Sequence, residues 1–207
     1  MNDSMIESKQ SFCGVLLAGG KSSRMGENKA LLTFGGRTFL DIQLEKLCKI
    51  GASEVLVSGD PKTLESFVNN FKSDVNIRII PDKVSNKGPL GGLYSCFTET
   101  DHNSAIVIGI DTPLVTISTL SKIIACHFEC KKDATVLTAA SSIEPLIAAY
   151  STGTHTVIKE LIDNDRLSIR PLLDRVDTYY LEFDGMESEL FNCNLPEDYQ
   201  TLPILPI

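Results

Sequence analysis

Phe12-Cys13-Gly14-Val15-Leu16-Leu17-Ala18-Gly19-Gly20-Lys21-Ser22-Ser23-Arg24-Met25-Gly26-Glu27-Asn28-Lys29 is the stretch whose reading decides the fold. Phe12 to Ala18 has the length and apolar content of a buried strand. The run breaks at Gly19-Gly20, where adjacent glycines allow positive φ and close approach of backbone N–H groups to a ligand. Successive N–H groups in such a turn form an anion-binding concavity. Arg24 can fork onto phosphate oxygens and Lys29 can add a point charge. Strand, glycine turn and basic loop together describe a polyphosphate cradle. It is not a Walker P-loop, because five residues separate Gly20 from Gly26 and Glu27 follows Gly26. Nor is it the dinucleotide fingerprint G-x-G-x-x-G, since Gly19 and Gly20 are adjacent. Glycines and charges alone also fit an ordinary turn followed by solvated basic residues.

Composition narrows the classes. A chain of 207 residues with 43% apolar content can bury one sizeable core, so one domain over 12–207 is expected, preceded by a flexible polar tail, 1–11. That tail lacks the apolar segment of a signal peptide, and no apolar run approaches the roughly 20 residues that cross a bilayer. A cytoplasmic protein without membrane contact is expected. The net charge of −8 argues against broad nucleic-acid binding and requires local cations for any anionic ligand. None of the six cysteines forms a C-x-x-C pair, so they read as small fillers in a reduced protein. The three histidines form no metal spacing and no nucleophile motif.

Along the chain, Leu31 to Phe34 reads as a short strand. A helix starts near Thr38, with Asp41 as a capping-box signal and Gly51 at its end. Strands over Glu54 to Ser58 and Asn76 to Ile80 flank a helix ending near Phe71. Ala105 to Ile110 is a continuous apolar strand, followed by a helix from Ile117 to Phe128 and a strand from Ala134 to Ala140. Alternating apolar strands and amphipathic helices predict an α/β fold, with a parallel sheet covered on both faces. Ligands of such sheets bind beyond the carboxyl ends of the strands. The Gly19-Gly20 loop, Asp82 and Asp111 all fall there.

Asp111 follows a buried strand and precedes Thr112-Pro113. Its position fits a helix N-cap or a Mg²⁺ ligand equally, since one carboxylate beside a triphosphate can suffice for Mg²⁺. Gly88-Pro89-Leu90-Gly91-Gly92 reads as a helix start that also permits close ligand approach.

These strings resemble known ones. Leu17-Ala18-Gly19-Gly20-Lys21-Ser22-Ser23-Arg24-Met25-Gly26, with Lys29, resembles the signature loop of nucleotidyltransferases, and its Ala-Gly-Gly form looks most like the MobA family. Asp111-Thr112-Pro113 is similar to that family's strand-Asp-x-Pro signature, and Gly88-Pro89-Leu90 to its G-P-L-x-G motif. Glu144-Pro145-Leu146-Ile147-Ala148-Ala149-Tyr150, Ser168-Ile169-Arg170-Pro171-Leu172-Leu173 and Phe191-Asn192-Cys193-Asn194-Leu195-Pro196-Glu197-Asp198 match its later elements more loosely. Asn28, Ser58, Ile110 and Leu195 depart from residues common in the family.

The resemblance implies a three-layer α/β/α, Rossmann-like, mostly parallel sheet, and transfer of GMP from GTP to molybdopterin with release of pyrophosphate. It implies catalytic roles for Arg24, Lys29 and Asp111, with Mg²⁺ on Asp111. Nucleotide contacts are implied for Leu17, Ala18, Gly19, Gly20, Lys29, Ser58, Asp82, Gly88 and Asp111, and pterin contacts for Asn192 and Asn194. Molybdenum-insertion proteins and molybdoenzyme chaperones are the implied partners. CTP-dependent transfer, to a molybdenum cofactor or to a sugar or polyol phosphate, and a non-catalytic nucleotide-binding module remain as alternatives.

Overall fold

The apolar run after Ser11 forms strand β1 (Cys13–Leu17), and it lies inside the main sheet with every residue buried. A computed structural model describes residues 10–19, 29–84, 86–139, 142–194 and 198. After β1 come β2 (Thr33–Phe34), β3 (Arg37–Thr38), α1 (Phe39–Lys49), β4 (Glu54–Ser58), α2 (Pro61–Asn70) and β5 (Asn76–Ile80). Then follow α3 (Gly88–Phe97), β6 (Ser104–Gly109), α4 (Ile117–Cys130), β7 (Ala134–Ala139), β8 (Ser142–Ser151), α5 (His155–Asp163), α6 (Arg170–Leu173) and β9 (Thr178–Glu182).

Seven strands form one sheet in the order β5-β4-β1-β6-β8-β7-β9, and β2 pairs with β3 in a separate hairpin. Every pairing in the large sheet is parallel except the two that β8 makes, with β6 and with β7. The sheet is therefore mostly parallel, with one reversed strand where the alternation of strands and helices had suggested none. The segment expected as a strand from Leu31 is strand only at Thr33–Phe34, because Lys29–Leu31 forms a 3₁₀ turn.

Period-two alternation sorts β1 between two cores. Phe12 and Leu16 face the layer of α1, α2 and α4, while Cys13, Val15 and Leu17 face α3, α5 and α6. Leu40, Leu44 and Leu47 of α1 are fully buried, each contributing roughly 1.5–3 kcal/mol by leaving water. The Thr38 hydroxyl accepts from Asp41 N and donates to the Asp41 carboxylate, and Gly51 at φ +87° lies just past the helix end. All six cysteines are free. His127 is buried against the Thr135 hydroxyl, a structural partner.

β8 carries a register jump. Ala148 lies opposite Val136 of β7, but Glu144 lies opposite the next residue, Leu137. The fully buried Tyr150 ties the jump down by donating its hydroxyl to Pro145 O at 2.7 Å.

Candidate active site

Register decides what meets at the sheet's ligand edge. Leu17 lies opposite Ser58 on one side and Gly109 on the other, and Ser58 lies opposite Ile80. The residues that leave β1, β4, β5 and β6 therefore emerge side by side. They open into a cavity of about 610 Å³ lined by Leu17, Ala18, Gly19, Lys29, Ser58, Asp82, Gly88 and Asp111 among others. All eight were expected as site residues. Gly20 and Arg24, the other two from the glycine loop, lie outside the described residues.

Along one wall, the Ser58 hydroxyl donates to the Asp82 carboxylate at 3.1 Å. A side chain on Gly92 would bring its Cβ within 2.6 Å of Ser58 Oγ, so glycine lets α3 lie directly against this pair. The amino end of α3 borders the cavity at Gly88 and Pro89, and no side chain caps it. Its partial positive charge favours an anion there. Lys87, also on the cavity wall, pairs with Asp165 at 2.8 Å.

On the opposite wall stands Asp111, half-buried, its carboxylate lying so close to Gly109 that a Cβ there would come within 2.5 Å of Oδ1. No described residue donates to that carboxylate. Glu144 lies near enough for the two charges to repel. Burial raises the Glu144 pKa most, Asp111 adds to that, and the Ser142 hydroxyl opposes it. Asp111 O accepts from Cys193 N at 2.7 Å, which brings the C-terminal segment across the site. There Asn194 Oδ1 accepts from Lys29 Nζ at 2.7 Å, joining two residues expected in different subsites. Asn192 instead donates to Leu190 O at 3.3 Å, and neither asparagine is on the cavity wall. Leu195, Pro196 and Glu197 lie outside the described residues, and Asp198 accepts from Asn194 N at 2.8 Å.

Behind Asp111, Lys46 reaches Pro113 O and Gln43 Oε1. Burial pushes the Lys46 pKa down to about 7; Arg37 adds to the effect, while Glu189 and Glu45 oppose it. Between about 7 and 10.5 the unfolded chain thus binds a proton that the folded one does not, so this residue's contribution to stability rises with pH. Below about 7 both states are charged and the burial penalty is fully present. The unfolding free energy of wild type relative to Lys46→Met is expected to increase by at most about 1.4 kcal/mol per pH unit from pH ~7.5 to ~9. Urea unfolding at the two pH values measures it.

The comparisons with known proteins bear on this arrangement. A model of the MobA-like NTP transferase domain matches residues 14–178. The chain belongs to the MobA-like NTP transferase family. A relative from Bacillus subtilis, named "Probable molybdenum cofactor guanylyltransferase", is 31% identical over 91% of this chain and 92% of its own length. One of the same name from Natranaerobius thermophilus is 27% identical over 90% and 92%. Among solved structures, molybdopterin-guanine dinucleotide biosynthesis protein A from Archaeoglobus fulgidus superposes with a TM-score of 0.77 at 22% identity, covering 92% of this chain and 96% of that one. A 4-diphosphocytidyl-2C-methyl-D-erythritol synthase from Anaerococcus prevotii shares the fold at TM-score 0.72 and 12% identity, covering 93% and 94%. The nucleotidyltransferase assignment thus rests on both the family match and the cavity.

Several residues of this MobA-like site escaped the sequence reading. Asn86, Lys87 and Leu146 line the cavity, and Gln43 lies behind it. Gln43 left one signal: it is a polar residue inside the apolar stripe of Leu40, Leu44 and Leu47.

Proposed function

We propose that the protein transfers GMP from GTP to the terminal phosphate of molybdopterin, carrying molybdenum or not, and releases pyrophosphate to form a guanine dinucleotide cofactor. The observation that carries the reading is the meeting of Lys29, Asp111 and the uncapped start of α3 around one cavity, with Asn194 bonded to Lys29. The names of the relatives supply the acceptor. In this reading the glycine turn and the start of α3 hold the triphosphate, and Ser58 and Asp82 face the nucleoside. Lys29 neutralises charge that builds on the departing pyrophosphate, and Arg24 is assigned the same task. Asn194 stands beside Lys29 at the border between nucleotide and pterin. We assign Asn192 to the pterin side as well.

Such transfer needs alignment and charge neutralisation more than a covalent nucleophile. The attacking phosphate is ionised at neutral pH, so no general base is required. Asp111 fits a Mg²⁺ ligand: its carboxylate has no described protein donor and faces the cavity, and one carboxylate with phosphate and water can complete the shell. Among the described residues no group of three or more His, Cys, Asp or Glu could hold a metal, which fits an ion shared with the nucleotide. When bound, Mg²⁺ would supply charge neutralisation at the phosphates.

Among the described residues no helix is long and apolar enough to cross a membrane. We place the reaction in the cytoplasm, with molybdenum-insertion proteins upstream and molybdoenzyme chaperones downstream. The test is pyrophosphate release with molybdopterin and Mg²⁺, running GTP, CTP, ATP and UTP in parallel. Release with GTP alone upholds the reading. Release with CTP moves the protein to cytidylyl transfer, and no release with any nucleotide sinks the assignment.

A further inference from the structure

We infer that Gln43 and Lys46, on α1, are positioning residues for Asp111, holding the 109–113 turn by its carbonyls so that the carboxylate keeps its aim into the cavity. The inference rests on the guanylyl-transfer reading for its kinetic consequence, and on the hydrogen bonds below for its structural one.

Gln43 is fully buried. Its Nε2 donates to Gly109 O at 2.8 Å and to Thr112 O at 3.0 Å, bridging the two sides of the turn that carries Asp111. Lys46 Nζ donates to Gln43 Oε1 at 3.1 Å, which fixes the end of the amide that faces the turn, and also to Pro113 O. Both amide donors and the acceptor are thereby used. A buried amide costs free energy unless all of its groups are bonded, so an apolar residue is the ordinary occupant of such a stripe.

Folding alone does not call for these bonds. Gly109 O also accepts from the Thr112 hydroxyl at 3.1 Å, and Thr112 O from Val115 N at 3.4 Å. Removing the Gln43 amide leaves both carbonyls partnered and takes away only the link to α1. From the far side Cys193 N holds Asp111 O. The turn is therefore gripped from two directions while its carboxylate stays available. Displacement of a reacting group by about 1 Å can cost on the order of 100-fold in rate, so such a grip bears on turnover.

The test measures kcat and KM for GTP together with hydrogen exchange of the amides in 109–115, on the full chain. Gln43→Met keeps the side chain's length and removes the donors. It is expected to lower kcat about 30-fold or more, leave KM within about threefold, and speed exchange in 109–115 at least about tenfold while β1 and β4 stay protected. Lys46→Met is expected to move both readouts the same way by less, and Lys46→Arg, which keeps donors, to lie nearer wild type. A Gln43→Met kcat within about threefold of wild type overturns the inference, as does exchange that quickens equally across the sheet. If wild type transfers no nucleotide at all, the functional reading fails while exchange still decides the grip. Unchanged exchange in 109–115 overturns it, and acceleration confined there upholds it.

Discussion

Asp111→Asn is expected to lower GMP transfer at least about 1,000-fold while the protein remains folded. The substitution keeps the shape that lies against Gly109, and the grip on the backbone at Gly109, Thr112 and Pro113 does not involve the carboxylate. Only the negative charge at the cavity wall is removed. GTP binding by calorimetry should persist in weakened form, and its dependence on Mg²⁺ concentration should flatten. A variant that keeps more than about a tenth of wild-type turnover would show that this carboxylate is not the centre of the chemistry. A rival view, that the chain binds nucleotide without transferring it, makes the opposite forecast, since wild type and variant would then be equally inactive.

Lys29→Met is the second large effect, expected at roughly 100- to 1,000-fold in kcat/KM, because a cation at the departing pyrophosphate acts mainly in the transition state. Its bond to Asn194 makes the prediction sharper. Asn194→Ala alone should cost about tenfold, and distinctly less once Lys29 is already methionine, because contacting residues are not additive. Steady-state kinetics on the two single variants and the double variant measure the coupling. Full additivity would mean that the 2.7 Å contact between them has no role in turnover.

Most parts of the fold that could be read from sequence are buried on both faces or cleanly amphipathic; β5, an edge strand, was legible from its isoleucines and the Pro81 that stops it. β1, β4 and β6 are largely continuous apolar runs, and α1 and α4 carry apolar stripes whose buried polar residues are Gln43, Thr119 and His127. β8 escaped because Pro145 and the register jump opposite Val136 and Leu137 interrupt its alternation, so no two-residue period survives over its ten residues. β9 is a five-residue edge strand whose Tyr179 and Tyr180 stay exposed, which leaves little pattern to detect. The site divides the same way. Asp82 and Asp111 announce themselves by following strands and Lys29 by closing the basic loop, whereas the contact of Lys29 with Asn194 joins residues 165 positions apart and only the fold creates it.

The reversed direction of β8 separates two kinds of variation. Because β8 runs against β6 and β7, it begins at the ligand edge, where β7 also ends. Leu146, in the first half of β8, thus lines the same cavity as the residues that leave β1, β4, β5 and β6. Substitution at Leu146 would recontour that wall of the cavity and leave the register of the parallel strands as it is. A sheet with one reversed strand can in this way vary one wall of its cavity while the parallel strands keep the other.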